Sequence, residues 1–171
     1  MPKSIIIFGS ARKNGNTRKL VDHIRSIADI DLIDLNDYQM SYYDYEHRNQ
    51  GDDFFPLMEH LLTYDIWVFA TPVYWYSMSA VMKNFFDRMT DLLDIHLDMK
   101  EQLKQTAIML VCCGSDSEPI PGFALPFSET ADYLGMQYLG DMHGWVENGE
   151  ISGEVSQIAA RFLGNIHAHE N

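Results

Sequence analysis

Cysteine, basic charge and long apolar runs are all scarce in this 171-residue chain, and each scarcity argues against a class of function. The only cysteines are Cys112 and Cys113, adjacent within an apolar run. Neighbours on a strand point to opposite faces, which argues against a disulfide between them. No zinc-ligand spacing occurs, and this cysteine usage fits a reducing compartment. Lys and Arg number 12 against 25 Asp and Glu, for a formal net charge of −13. That field repels phosphate backbones and anionic lipid, so neither nucleic acid nor a membrane is an expected partner. No apolar run approaches the ~20 residues of a membrane span. Ile5–Phe8 is too short for the apolar core of a secretory leader. The expectation is a soluble, cytoplasmic protein.

What is present is an ordinary globular composition, 46% hydrophobic and 22% charged, at a length suited to one domain spanning residues 1–171. Short apolar runs alternate with helical patterns. Strands are expected at Ser4–Phe8, Ile30–Leu35, Asp65–Ala70, Thr106–Cys113 and Gln137–Trp145. Helices are expected at Thr17–Ala28, Phe54–Tyr64, Ser79–Leu93, Phe127–Leu134 and Glu154–Ile166, with Asp52 or Asp53 capping the second. Asn36–Asp53 reads as a long surface loop. Strands alternating with helices, several of them nearly all apolar, imply an α/β three-layer sandwich around a five-stranded parallel sheet. Right-handed crossovers allow the order 2-1-3-4-5, which gathers the loops after strands 1, 3 and 4 at the carboxyl edge.

Those loops carry the unusual residues. Gly9-Ser10-Ala11-Arg12-Lys13-Asn14-Gly15-Asn16-Thr17 is dense in small hydroxyl and amide groups. Its N–H groups at a helix N-terminus, with Ser10, Asn14, Asn16 and Thr17, suit a phosphate, and Arg12 can add a charged fork. The Lys of a P-loop is missing after Gly15, and the G-x-G-x-x-G dinucleotide spacing is absent. A plain turn capped by Asn or Thr is the competing reading. The second loop, Thr71-Pro72-Val73-Tyr74-Trp75-Tyr76-Ser77, sets three aromatics in succession, and consecutive residues cannot all enter one core. At least one ring should stand exposed, where a flat conjugated ligand could stack. An aromatic cluster packed under its own loop is the alternative. On the third helix Met82, Phe85, Phe86 and Met89 form an apolar face, and Lys83 and Asp87 are spaced to pair.

Gly9-Ser-x-Arg12-x-x-Gly15-Asn16-Thr17, Thr71-Pro72-Val73-Tyr74-Trp75 and Lys83-x-x-x-Asp87-Arg88 together resemble the NAD(P)H-dependent FMN reductase branch of flavodoxin-like proteins. The resemblance runs in register from Lys3 to about Met89. It implies that Ser10, Arg12, Asn14, Asn16 and Thr17 hold the FMN phosphate and that Pro72, Val73, Tyr74 and Trp75 line the isoalloxazine. Gly114 and Ser115 would close the other side. It also implies NADH or NADPH as co-substrate, a small acceptor such as a quinone, flavin or nitroaromatic, and a homodimer or homotetramer. The similar iron–sulfur flavoproteins carry a cysteine cluster before an Asp-Asp pair. Here Tyr42, Tyr43, Tyr45 and His47 precede Asp52-Asp53, and tyrosines cannot ligate such irons. His47 is expected as a solvated loop residue, and His167 with His169 as part of a frayed tail. The rival readings on the same fold are a flavodoxin-type electron carrier and a flavin-free interaction module.

Overall fold

A computed structural model describes residues 2–168, the His167 side chain excepted; His169 lies outside them. Five parallel strands form the sheet: β1 (Ser4–Phe8), β2 (Asp31–Asp34), β3 (Ile66–Pro72), β4 (Ala107–Cys113) and β5 (Gln137–Gly144). Their order is β2-β1-β3-β4-β5, as the alternation of strand and helix patterns implied. The central strands β1, β3 and β4 are buried along their whole length. Strands covered on both faces need apolar residues at every position, which is why these three read as continuous runs.

Side chains of alternate parity fill two separate cores. Ile5, Ile7, Trp67, Phe69, Ile108 and Leu110 pack on one face with Phe54, Phe85 and Phe127. Ile6, Phe8, Val68, Ala70, Met109 and Val111 pack on the other with Leu20, Ile24, Val155 and Phe162. The first core belongs to helices α2 (Phe54–Leu61), α3 (Ala80–Arg88), α4 (Thr90–Asp94), α5 (Leu97–Leu103) and α6 (Leu125–Leu134), the second to α1 (Asn16–Ile27) and α7 (Gly153–Ala168).

Three differences from the sequence expectations bear on the site. Strand β3 continues through Thr71 to Pro72, which pairs with Cys113. Proline is tolerated there because it ends the strand, where its missing N–H costs no interior ladder bond. The helix expected at Ser79–Leu93 is divided at Met89, whose N–H reaches both Phe85 O and Phe86 O. Met89 keeps helical dihedrals (φ −60°, ψ −19°), so the division is a local tightening and not a turn. Finally, α5 fills a stretch that the sequence pattern left unassigned.

Candidate active site

The three loops at the carboxyl edge are joined by backbone hydrogen bonds that continue the sheet. Gly9 N donates to Ala70 O (2.9 Å), Val73 N to Cys113 O (2.9 Å) and Gly114 N to Gly144 O (2.9 Å). One side chain, Ser79, ties the first two together. Its hydroxyl donates to Gly9 O (2.8 Å) and accepts from Met82 N (3.2 Å), while its own N–H donates to the Thr71 hydroxyl (3.0 Å). A serine before an apolar helix reads from sequence as an N-cap, and it is one. Its second role, as a bridge to a loop seventy residues away, has no local signature.

The first loop enters α1 without closing its N-terminus. Gly15 stands at the cap position with no side-chain cap, and the first turn carries no acidic residue. The amides of Asn16, Thr17 and Arg18 are thus the orphan donors of a helix end whose dipole favours an anion. Ser10 is buried, and its hydroxyl accepts from Arg12 N (3.3 Å), which curls the loop. Asn36 props the loop from β2: its amide donates to Ser10 O (2.8 Å) and to Asp34 Oδ1 (2.8 Å). Sequence reading missed Asp34, inside a weak strand, and Asn36, at the start of what looked like an ordinary polar loop.

Of the basic residues here, Lys13 pairs with Asp37 (3.0 Å) and Arg18 with Asp22 (2.8 Å), and Lys19 donates to Gly149 O (2.7 Å). Arg12 is exposed and forms no ion pair among the described residues. Asn14 and Asn16 are exposed beside it. Thr17 is instead buried, next to Cys113. Burial pushes the Cys113 thiol up, against a smaller downward pull from Thr17, and burial pushes Cys112 up to about 12. Both thiols stay protonated near neutrality, so neither is a candidate nucleophile.

In the second loop Pro72 is buried and Val73 half-buried, and the three aromatics turn outward. Tyr74 and Ser77 exchange both backbone hydrogen bonds (2.9 and 3.0 Å), closing a two-residue turn. At its tip Trp75 (φ 49°) and Tyr76 (φ 64°) both occupy the left-handed region, as a type I′ turn requires. Asn and Gly are the usual residues there; bulky L-residues cost about 1–2 kcal/mol each. Trp75 is 93% exposed and Tyr76 74%, so burial does not offset that strain. Strain of this kind is retained at binding sites, where the exposed ring itself is the useful product. The alternative of an aromatic cluster tucked under its own loop does not hold.

The third loop is shaped by His143, at the end of β5. A Cβ on Gly114 would lie 2.4 Å from His143 Cε1, so only glycine permits this approach. His143 Nε2 lies 2.8 Å from Asp116 O, as donor to that carbonyl, and fixes the loop; Ser115 is exposed and bonds Asp116. His143 carried no signal in sequence, because its partner is a carbonyl on another strand's loop.

Beside this edge the loop of residues 38–53 packs on α3 and α4. Arg88, fully buried, donates to both oxygens of Asp52, to Asp91 Oδ2 (2.7 Å) and to the carbonyls of Ser41 (3.1 Å) and Asn49 (3.0 Å). Burial alone would raise the Asp52 carboxyl, but Arg88 and the amides of Ser41 and Phe54 outweigh it and hold it low. His47 is not solvated as expected: Nδ1 meets Asp91 (2.8 Å) and Nε2 faces Asp94 (3.4 Å). Lys83 and Asp87 pair as their spacing suggested. Asp53 holds the cap position of α2 without a side-chain cap bond, while the Asp52 carboxylate before it accepts from Phe54 N (3.1 Å).

Comparison with known proteins decides what this geometry belongs to. The NADPH-dependent FMN reductase family matches residues 2–149. The chain belongs to that family. FMN is therefore its cofactor, and nicotinamide-dependent reduction is its activity. A relative from Bacillus subtilis (strain 168), provisionally named NAD(P)H-dependent FMN-containing oxidoreductase YwqN, is 31% identical over 152 residues, 83% of this chain and 84% of its own. The Trp repressor binding protein of Bacillus subtilis superposes with a TM-score of 0.74 at 26% identity, over 94% of this chain and 97% of its own. An FMN-dependent NADH-azoreductase from Bacillus anthracis, solved with FMN, shares the fold with a TM-score of 0.67 at 11% identity, covering 97% of each chain. The family's cofactor fits this FMN reductase on its own evidence: an uncapped helix end, an uncommitted Arg12 and a strained aromatic turn meet at one edge.

Proposed function

We propose that the Gly9–Thr17 loop holds the FMN phosphate and that the Val73–Ser77 turn faces the isoalloxazine, the chain acting as one flavin-binding domain. The carrying observation is the Ser79 bridge, which locks an anion-ready helix end to a projecting aromatic turn. Ser10, Arg12, Asn14 and the amides of Asn16 and Thr17 neutralise and orient the phosphate. Pro72 and Val73 offer the strand end, Tyr74 and Trp75 shape the open face, and Gly114 with Ser115 closes the far side. FMN supplies the hydride-accepting and electron-passing chemistry when bound. The protein contributes binding, orientation and an uncovered ring face, and no side chain is needed as acid or base.

The acceptor is a small planar molecule of quinone or flavin type, suited to the exposed rings of the turn. The enzyme works in the cytoplasm: two unpaired thiols fit a reducing compartment, and no helix of the described residues is long and apolar enough to cross a membrane. A homodimer or homotetramer is expected, since the hollow between α3, α4 and α6 is lined by half-buried Phe86 and Leu93 and exposed Tyr133.

An anaerobic absorbance titration tests the reading. FMN should stay bound through desalting, and its visible bands should bleach within seconds of adding NADH or NADPH. Bound flavin that does not bleach would make the protein an electron carrier, and loss of flavin on desalting together with no turnover would overturn both.

A further inference from the structure

The tyrosine loop carries none of the residues assigned to the flavin, yet many of its backbone groups are held by side chains. Gln39 N and Ser41 N are held by Asp53 and Asp52, Met40 O by Asn84, and Tyr42 O by Asn49. Arg88 and His47 anchor it from below. A long loop without secondary structure is uncommon in a compact fold and is usually functional. Bracing of this density fixes what the loop presents.

It presents rings. Tyr42 is 82% exposed and Tyr45 86%, and neither contributes to the core. Tyr43 and Tyr45 meet edge to face, with centroids 5.1 Å apart and planes at 69°, forming two walls of a corner. With Tyr42 and the outer face of α3 (Ala80, Lys83, Asn84) they line a cavity of about 460 Å³. That volume lies in the range of small-molecule sites.

The charge around the corner is acidic. Each nearby cation is already matched: Lys83 by Asp87, Arg48 by Asp44, Arg88 by Asp52 and Asp91. Asp94 lies 3.4 Å from His47 and acts on the Tyr43 phenol, Asp87 lines the corner itself, and Glu46 is exposed on the same loop. The Tyr43 phenol registers this field: burial first, then Asp94, Tyr45, Asp91 and Asp44, hold it above its ordinary value. The whole chain adds a net charge of −13. Aromatic faces with an acidic surround attract a flat cation through ring quadrupole and Coulomb field together.

We propose that the corner formed by Tyr42, Tyr43 and Tyr45 against α3 is a second binding site, taking a planar aromatic cation. It uses none of the residues assigned to FMN, and its failure would leave the FMN reading intact.

Equilibrium dialysis of the FMN-loaded protein, with no nicotinamide present, tests this with methylene blue as the cationic probe and resorufin as a flat anion of similar size. Methylene blue should bind at least tenfold more tightly than resorufin. Tyr42→Ala and Tyr45→Ala should each weaken it roughly two- to fivefold, with FMN affinity unchanged, while Tyr45→Phe retains it. Both replaced tyrosines are exposed, so the variants should fold normally. Unchanged dye affinity in both alanine variants, or equal binding of the anion, would overturn the proposal. So would a loss with Trp75→Ala in place of Tyr45→Ala, which would put the dye on the flavin-side turn.

Discussion

The Gly9–Thr17 loop and the loop of residues 38–53 lie at neighbouring positions on the molecule and solve opposite problems. The first leaves its helix end without a side-chain cap, and its Arg12 forms no ion pair among the described residues. The second ties Gln39 N, Ser41 N and the carbonyls of Met40, Ser41, Tyr42 and Asn49 to side chains, and buries a guanidinium to do so. Free amides at a helix N-terminus suit an anion, which is the ground for the phosphate site proposed above. A loop braced in this way is fixed in place, and what it holds outward is its tyrosine rings.

The largest test of that contrast is Arg88→Met. It strands Asp52 and Asp91 without their cation and should cost about 3–5 kcal/mol of stability in urea unfolding, while FMN affinity measured on the remaining folded protein changes little. The same pair gives an acid signature. Asp52 is held below its ordinary value of 3.8, so its contribution is complete above that value and is lost as pH falls through the depressed one. The acid limb of the wild-type stability curve should therefore be steeper than that of Arg88→Met.

Gly114→Ala is expected to cost about 1–3 kcal/mol, because the new methyl meets the His143 ring, which must move and give up its bond to Asp116 O. FMN affinity should fall with it, and the double change Gly114→Ala with His143→Ala should recover part of both. An unchanged melting temperature would show that the third loop is not shaped by His143.

Replacing Trp75 and Tyr76 together by Asn and Gly gives the turn the residues its dihedrals favour. Stability should rise by about 1–2 kcal/mol, while NAD(P)H-driven turnover falls because the open face loses its rings. A variant that is both more stable and fully active would remove the functional reading of the strain.

Arg12→Ala is the smallest effect and the sharpest probe of the open loop. An exposed guanidinium on a phosphate should be worth about 1 kcal/mol, roughly fivefold in Kd by flavin fluorescence quenching. The loss should shrink at high salt, and a salt-independent loss would mean that Arg12 acts by packing.

The open loop was legible in sequence because its chemistry is contiguous: nine residues carry the small side chains, the amides and the arginine. The aromatic turn was half legible. Three rings in a row cannot all be buried, but nothing local announces that two of them take positive φ. Ser79, Asn36 and His143 were invisible as site residues, since each acts on a backbone carbonyl far away in sequence. His47 was misjudged for the same reason: its carboxylate partners lie on α4, forty-four residues from the loop for Asp91.

Hydrophobic patterning by itself determined the parallel sheet, since strands buried on both faces must be apolar throughout and right-handed crossovers leave few ways to order them. It also located the loops that meet at the carboxyl edge. Which of those loops stays open for a ligand and which closes on itself was decided only in three dimensions. Hydrogen-bond satisfaction is a property of where carbonyls, amides and carboxylates end up relative to one another, and a chain written in one dimension carries no record of those distances.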